Sequence, residues 1–300
     1  MQKLCLPFQL YMHLSDMSII RHCVIMFWFI DFLRLKGTDM RLFFFRHADP
    51  NYNDDDLTEK GEKEAVILAK HIKSFNLDNI YVSPLGRAKK TAKYSLDELN
   101  KKAVECDWLK EFTARFFPDT ADEETLSAYY NELKRDPVTG KTAERIVWDI
   151  MPAYFSGHPE LFDVNRWMDS KIVAASDMKE VYEYVTSSFD KLMSQHGYER
   201  NGSIYRVTKG NEKRLGFFCH FGITSVFLSH LWNISPFVTL QFLAMAPTSV
   251  TEVVTEEREK GIAIFRALRI GDISHLTEEN EPPSFSARFC ERFENENERH

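Results

Sequence analysis

The sequence has few cysteines, and their spacing forms no recognisable motif. The five cysteines lie far apart in the 300 residues, and no two of them have the C-x-x-C spacing. An odd number of scattered thiols predicts neither a disulfide framework nor a zinc site. Reduced thiols of this kind are typical of a cytoplasmic protein, which is the location that we expect. We expect no bound metal and no cofactor.

The sequence also lacks an excess of positive charge. Its formal net charge is -7 and its pI is about 5.8. Proteins that bind nucleic acid usually carry a basic surface, so the composition argues against a nucleic-acid partner. An anionic substrate remains compatible with this charge if the positive residues gather at one site.

The apolar run near the N-terminus is too short to cross a membrane. Residues 23–30 form its eight-residue core, which charged residues flank on both sides. A membrane-spanning helix needs about 18 or more apolar residues. Residues 1–39 therefore read as an N-terminal extension, with three interpretations: a membrane-surface or docking helix, an accessory helix, or sequence translated upstream of a start at Met40. We favour the last, because Met40 directly precedes a complete strand pattern.

From Met40 onward, the pattern alternates between strands and helices. "RLFFF" and "NIYV" are apolar runs typical of buried strands, and a helix pattern begins at Thr58 after the first of them. Ser83 is expected to cap the next helix, with Pro84 at its first position. Further strands at "SIYRV" and "LGFFCH" and a hairpin from residue 248 complete the pattern. The alternation predicts an α/β domain with a mostly parallel sheet and an antiparallel edge.

Two segments depart from this alternation. Residues 112–175 are rich in aromatic and acidic side chains and are broken by prolines, so we interpret them as an insertion beside the sheet. Residues 277–300 are acidic and predict a mobile tail. The resulting division is an extension over 1–39, a domain over 40–276 and a tail over 277–300.

Five chemically suitable residues lie near the ends of these elements. Arg46 and His47 end the first strand, and His220 ends another apolar strand. Arg87 falls in the helix after the second strand, and Glu111 follows a short apolar stretch. Ligands bind α/β sheets at the carboxyl ends of the strands, so we expect these five residues to converge on one pocket.

This set of residue types suits phosphoryl transfer. A neutral imidazole, with an ordinary pKa of about 6.5, is a good nucleophile at neutral pH. Arginine forks match phosphate oxygens, and a helix N-terminus after His220 adds partial positive charge. A carboxyl group beside the phosphate is expected to have a raised pKa and to protonate the leaving oxygen.

Four motifs resemble those of the histidine phosphatase superfamily, which includes the cofactor-dependent phosphoglycerate mutases. They are "FFFRHADP…LTEKGEKEA", "VSPLGRAKKTA", "WLKEF" and "FFCHFGI", in the order that the family shows. The resemblance spans roughly residues 40–276. It implies a three-layer αβα fold like that of phosphoglycerate mutase, with a mostly parallel central sheet and residues 112–175 as a cap.

The resemblance also implies a role for each of the five residues. His47 would be the nucleophile that becomes phosphohistidine, and Arg46, Arg87 and His220 would hold the phosphoryl oxygens. Glu111 would be the proton donor and later the base that activates water. Glu105, Asp107, Asp119, Asp122 and Glu123 lie nearby in the sequence, so another acid could take the place of Glu111.

Several positions depart from the mutase pattern. Ala48, Asp49 and Pro50 follow His47, where the mutases continue with glycine and glutamate. Phe221 stands where the acid phosphatase branch has its aspartate, which favours Glu111 as the donor and the mutase-like branch. Asn53 falls where that branch has an asparagine near the phosphate, so it is a candidate extra ligand.

The expected activity is metal-independent hydrolysis of a phosphomonoester, because no basic cluster for phosphoglycerate is recognisable in residues 112–175. The substrate would be a small phosphorylated metabolite, although a phosphoprotein stays open. Two alternatives remain: a phosphoglycerate mutase or other phosphotransferase using the same phosphohistidine, and a non-catalytic module that binds phosphate or phosphoprotein. The sequence leaves the oligomeric state unknown and membrane contact through residues 1–39 open.

Overall fold

A computed structural model of the chain describes residues 39–129, residues 133–286 and residue 294. The predicted N-terminal extension, apart from residue 39, lies outside the described residues. So does the end of the predicted tail.

Twelve strands are found in the described ranges. They are β1 (Arg41–Arg46), β2 (Pro50–Asn51), β3 (Asp56–Leu57), β4 (Asn79–Val82), β5 (Val104–Glu105), β6 (Arg115–Phe116), β7 (Arg145–Ile146), β8 (Tyr198–Asn201), β9 (Ile204–Val207), β10 (Arg214–Cys219), β11 (Val250–Glu259) and β12 (Ile262–Asp272). The same ranges contain nine α-helices. They are α1 (Glu59–His71), α2 (Gly86–Leu99), α3 (Glu123–Leu126), α4 (Pro152–Gly157), α5 (Lys171–Ala174), α6 (Met178–Gln195), α7 (Phe221–Trp232), α8 (Pro236–Phe242) and α9 (Ser274–Glu278).

Eight of these strands form the central sheet of the described part, in the order β5-β4-β10-β1-β11-β12-β9-β8. Strands β5, β4, β10 and β1 pair in parallel. The pairings of β1 with β11, β11 with β12, β12 with β9 and β9 with β8 are antiparallel. Six strands therefore run in one direction, and only β11 and β9 run against them. This mixed sheet confirms the prediction of a mostly parallel sheet with an antiparallel edge.

The sheet is covered on both faces beside β1. Phe43 and Phe45 belong to one apolar cluster with Leu68 of α1 and Ala92 of α2. Phe44, which points to the opposite face, stacks on Phe217 of β10 with ring centroids 5.1 Å apart and lies in a second cluster with α6 and α7. Successive residues of a strand point to opposite faces, so the unbroken apolar run of β1 supplies both cores. The three-layer αβα arrangement is thereby confirmed.

The start of α2 differs from the sequence prediction. The helix begins at Gly86 after the N-cap residue Leu85, and not at Pro84 after Ser83. The Ser83 hydroxyl instead lies 2.8 Å from Nε2 of His220, while the Gly86 N–H donates to the Asp55 carboxylate. A contact from a distant part of the chain thus takes the place of the local cap.

The segment from 112 to 175 consists of short pieces. It contains the two-stranded sheet β6–β7, the helices α3 to α5 and several single turns of 3₁₀ helix. Tyr129 and Trp167 are fully buried and join the same apolar cluster as Phe44. This segment therefore packs on the face of the sheet that α6 and α7 cover.

The beginning of the predicted tail is packed against the domain. The sequence predicts a mobile tail from residue 277, which stays a prediction, and within it the structure packs residues 281–286 against α1. Glu281 forms ion pairs with Lys60 and Lys63, and Ser284 is buried beside Glu64. Basic residues on α1 thus pair with the acid of this segment.

None of the helices in residues 39–129 and 133–286 combines the length and the apolar character needed to cross a membrane.

Candidate active site

Neighbouring parallel strands bring Arg46, His47 and His220 together. Arg46 at the end of β1 is in register with Cys219 at the end of β10, and the His47 N–H donates to the Cys219 carbonyl at 2.9 Å. The two histidines that follow these ends have ring centroids 5.0 Å apart. Both are buried, as is Arg46. The pairing of β1 with β10 therefore brings together the residues at the centre of the candidate site.

The ring of His47 is held by its own backbone. Its Nδ1 lies 2.7 Å from the carbonyl oxygen of Ala48, so Nδ1 carries the proton and donates it. Nε2 is then unprotonated, with its lone pair free to attack. Burial lowers the pKa of His47 well below its ordinary value, and the charges of Arg46 and Arg87 lower it further. The imidazole is consequently neutral near pH 7.

His220 occupies the N-cap position of α7. Its Nε2 lies 2.8 Å from the Ser83 hydroxyl, and its Nδ1 has no hydrogen-bond partner within the described residues. Burial lowers its pKa well below the ordinary value, and His47, Arg87 and Arg46 lower it too. A buried polar atom without a partner is costly, so an anion in the pocket would satisfy it.

Arg87 lies in the first turn of α2, and the hairpin tip between β2 and β3 holds it. Its guanidinium donates to Oδ1 of Asp55 at 2.6 Å, and the other Asp55 oxygen accepts from the Gly86 N–H at 2.6 Å. Tyr52 stacks over the same guanidinium, 5.4 Å from the ring centroid. Because Asp55 fixes one side of the Arg87 guanidinium, the orientation of the remaining N–H groups of Arg87 is fixed as well.

Arg46 is the most deeply buried cation of the group, with 3 % of its surface exposed. It donates to the carbonyl oxygen of Met245. Burial lowers its pKa, and nearby Tyr52, Glu111, Glu64 and Asp49 raise it in opposition. A bound phosphate would add the negative charge that this buried guanidinium favours.

Glu111 follows a 3₁₀ turn and places its carboxylate at the start of α7. Its Oε1 accepts from the backbone N–H of Phe112 at 2.8 Å and of Ile223 at 3.1 Å. Burial raises the pKa of the carboxyl group, against the opposing effects of these hydrogen bonds and of Arg46 and Arg87. A raised pKa near two arginines suits a group that gives up a proton and later takes one.

The neighbouring acids are engaged elsewhere or exposed. Glu105 pairs with Lys89, Asp107 pairs with Lys110, and Asp122 caps α3 and pairs with Lys171. Asp119 accepts from the Thr142 N–H, and Glu123 is exposed. Glu111, by contrast, is buried and lies close enough to Arg46 and Arg87 for their charges to lower its pKa against the effect of burial.

Asn53 lies at the exposed tip of the same hairpin, where its backbone N–H donates to the Asn51 side chain at 3.2 Å. Tyr52, and not Asn53, is the tip residue in contact with Arg87. Sequence reasoning missed Tyr52, Asp55 and Ser83. The only signal for Ser83 and Asp55 was their closeness in the chain to Arg87 and to the "LTEKG" motif.

The arrangement joins two arginines, two neutral imidazoles, one protonatable carboxyl group and a helix N-terminus at the edge of a sheet. Such groups can bind a phosphate dianion, attack it at phosphorus with His47 and deliver a proton from Glu111. Among the described residues, no group of three histidine, cysteine or acidic side chains has a geometry suited to a metal ion.

The fold is that of α/β proteins of the phosphoglycerate mutase type. The family model described as the histidine phosphatase superfamily (branch 1) matches residues 42–145. That range includes Arg46, His47, Arg87 and Glu111 and ends before His220. The match confirms the resemblance for the first three of the four motifs, and the fourth, "FFCHFGI", lies beyond the matched range.

Two curated proteins are similar to about a third of the chain. Phosphoserine phosphatase 1 of Hydrogenobacter thermophilus is 30% identical over 105 residues, which are 32% of this chain and 50% of that protein. A probable phosphoglycerate mutase of Yersinia enterocolitica is 27% identical over 116 residues, 36% of this chain and 54% of that protein. The chain thus matches about half the length of these relatives.

A solved structure confirms the fold. The phosphoglycerate mutase of Bacillus anthracis superposes with a TM-score of 0.50 at 17% identity, covering 83% of this chain and 100% of that chain. At this identity, the likeness concerns the fold alone.

Proposed function

We propose that the protein is a metal-independent phosphomonoester hydrolase that acts through a phosphohistidine intermediate. The observation that carries the proposal is the state of His47: its Nδ1 is bound to the Ala48 carbonyl, which leaves Nε2 free beside His220. Arg46 and Arg87 supply the charge that an arriving phosphate needs. Such preorganised positive charge is the main source of rate in phosphoryl transfer.

In the first half-reaction, Arg46, Arg87 and His220 hold the phosphate oxygens. Nε2 of His47 forms a bond to phosphorus while the bond from phosphorus to the alcohol oxygen breaks. Glu111 gives its proton to that oxygen, so the alcohol leaves neutral and Glu111 becomes a carboxylate.

In the second half-reaction, a water molecule enters where the alcohol has left. Glu111 takes a proton from the water as its oxygen attacks phosphorus, and the bond from phosphorus to Nε2 breaks. Inorganic phosphate is released, and both His47 and Glu111 return to their starting protonation states.

The substrate that we propose is a small phosphorylated metabolite. Phosphoserine is the first compound to test, because a similar protein bears the name phosphoserine phosphatase. We also propose a cytoplasmic location, which fits the unpaired thiols of Cys106 and Cys219.

The test is phosphate release from an aryl phosphate in EDTA, with wild type and His47→Ala side by side. We expect turnover by wild type and less than a few percent of it in the variant, and acid-labile labelled phosphate on wild type alone. Equal rates in both proteins would refute the nucleophile. Fast isomerisation of 3-phosphoglycerate in the presence of 2,3-bisphosphoglycerate would indicate a mutase instead, and phosphate binding without turnover would indicate a binding module.

A further inference from the structure

One peptide unit links the candidate nucleophile to helix α1. The carbonyl of Ala48 accepts from Nδ1 of His47 at 2.7 Å, and the N–H of the same peptide, on Asp49, donates to Oε2 of Glu64 at 3.1 Å. The C=O and N–H of a trans peptide point in opposite directions within one plane. Glu64 therefore fixes the orientation of the carbonyl that decides which nitrogen of His47 carries the proton.

Glu64 is unusual because it is a fully buried carboxylate in the middle of α1. Burial raises its pKa, and hydrogen bonds and Lys60 oppose that effect. Besides the Asp49 N–H, it accepts from the backbone N–H of Ser284 at 2.8 Å and from the Ser284 hydroxyl at 3.3 Å. A buried carboxylate persists only where such hydrogen bonds offset its lost hydration.

Residues 281–286, which we call the strap, supply those donors from the far end of the chain. Glu281 anchors the strap through ion pairs with Lys60 and Lys63 on α1. At the other end, the Ser286 hydroxyl donates to Oδ1 of Asp49, whose second oxygen accepts from Thr58 at 2.7 Å. The strap therefore contacts both Glu64 and Asp49, the two groups that orient the peptide beside His47.

The backbone here is packed too closely for a side chain to intervene. A Cβ added to Gly61 of α1 would stand 2.2 Å from the carbonyl oxygen of Asp49. That carbonyl also accepts from the Thr58 N–H at 3.1 Å. The carbonyl side of Asp49 is therefore held against α1, the helix whose Glu64 accepts from the Asp49 N–H.

We propose that Glu64 is a positioning residue for His47 and that the strap holds Glu64 in place. Glu64 selects the Nδ1–H tautomer of His47 and so keeps Nε2 unprotonated and directed at the phosphate. The catalytic part of this inference rests on the proposed function. The tautomer part does not depend on any activity.

The experiment uses full-length protein labelled with ¹⁵N-histidine, and compares wild type, Glu64→Ala, Glu64→Gln and Glu59→Gln. Two-bond ¹H–¹⁵N spectra report the tautomer of His47, whose signals are assigned by their loss in His47→Ala. The kcat and KM for an aryl phosphate are measured on the same samples. Glu59 is exposed on the same helix, so its variant controls for removing one negative charge from α1.

We expect the Nδ1–H tautomer in wild type, Glu59→Gln and Glu64→Gln, because the glutamine oxygen can still accept from the Asp49 N–H. Glu64→Ala should show a mixture of tautomers and a kcat lower by about 10-fold or more, with KM changed less than about twofold. If Glu64→Ala fails to fold, the double variant Ser284→Ala/Ser286→Ala replaces it, with the same shift expected at smaller size.

An unchanged His47 tautomer in the folded Glu64→Ala protein, or in the double variant used in its place, would overturn the proposal. So would a loss confined to KM. If wild type shows no activity at all, the proposed hydrolase fails, while the spectra still decide whether Glu64 sets the tautomer.

Discussion

Gly222 and Glu111 approach so closely that a methyl group on Gly222 would stand 2.7 Å from Oε1 of Glu111. The same oxygen accepts from the N–H of Ile223, one residue further along α7. Glu111 can reach the helix N-terminus only because residue 222 has no side chain. The glycine after His220 and Phe221 is therefore part of the reason that the candidate proton donor lies where it does.

Gly222→Ala should displace the Glu111 carboxyl group and impair proton donation. Alanine is otherwise favoured over glycine in a helix by about 1 kcal/mol, so the fold should not suffer for helix-propensity reasons. We expect kcat for an alkyl phosphate, whose leaving oxygen needs a proton, to fall about 10-fold or more. The kcat for p-nitrophenyl phosphate, whose leaving group needs little help, should fall much less.

Gly157→Ala is the matched control, since a Cβ at Gly157 would meet no atom within 4 Å. Its kinetics should equal those of wild type. If kcat of the Gly222→Ala protein fell to the same extent for both substrates, proton donation by Glu111 would not be the step affected.

The pH dependence of kcat/KM should reflect Glu111 and His47. His47 must be neutral to attack, and its pKa is lowered well below the ordinary value by burial, so activity should persist into mildly acidic solution. Glu111 must be protonated to act as an acid, and burial raises its pKa, so activity should decline as pH rises through that pKa. The optimum is therefore expected on the acidic side of neutrality.

Glu111→Gln should abolish the decline on the alkaline side and lower the maximal rate by about 100-fold. Glu123→Gln, which alters an exposed acid of the same region, should keep the wild-type profile. An alkaline decline that persists in Glu111→Gln would assign the acid to another group.

Two neighbouring residues at the tip of the β2–β3 hairpin, Tyr52 and Asn53, are candidates for a contribution to phosphate binding. Tyr52 stacks on Arg87, whereas Asn53 is the residue that family resemblance favours as a phosphate ligand. A cation–π contact at an exposed site is worth about 0.5–1 kcal/mol. Tyr52→Ala should therefore raise KM about two- to fivefold with little change in kcat, and Tyr52→Phe should behave as wild type.

Asn53→Ala supplies the comparison. If its KM increases more than that of Tyr52→Ala, then Asn53 is the phosphate ligand and the contact between Tyr52 and Arg87 is incidental. Inhibition by orthovanadate, measured on the same proteins, separates phosphate binding from contacts with the leaving group.

The convergence of Arg46, His47 and His220 could be predicted from the sequence, because the end of an apolar run marks the end of a strand. The apolar runs before Arg46 and His220 stop abruptly at polar residues, and both strands lie in the parallel part of the sheet. Parallel strands place their carboxyl ends at one edge, so the convergence follows from the pattern alone.

The partners of these residues could not be predicted in the same way. Ser83 contacts His220, from which it is separated by 137 positions in the chain, and Ser284 contacts Glu64, from which it is separated by 220 positions. Such contacts depend on strand order and on where the C-terminal segment packs, and neither leaves a periodic signal. Ser83 was predicted to cap a helix because a local sequence pattern indicates only hydrogen bonds to nearby backbone groups.

Stability should fall in acid because of His275 in α9. This side chain is 6 % exposed, and its Nε2 lies 3.1 Å from the hydroxyl of Thr248, whose N–H donates to the His47 carbonyl. Burial lowers the pKa of His275 to about 4, and His71 lowers it too, against an opposing effect of Asp272. A histidine in the unfolded chain has a pKa of about 6.5. Between that pH and about 4, His275 is therefore protonated in the unfolded chain but neutral in the folded protein.

The contribution of neutral His275 is therefore complete above about pH 6.5 and is lost progressively as the pH falls toward 4, by about 3 kcal/mol in all. Urea unfolding of wild type and His275→Gln at pH 8 and pH 4 measures it. The difference at pH 8, where both side chains are neutral, gives the cost of the substitution itself. Wild type should then lose about 3 kcal/mol more than the variant between the two pH values, and parallel losses would show that His275 titrates normally in the folded protein.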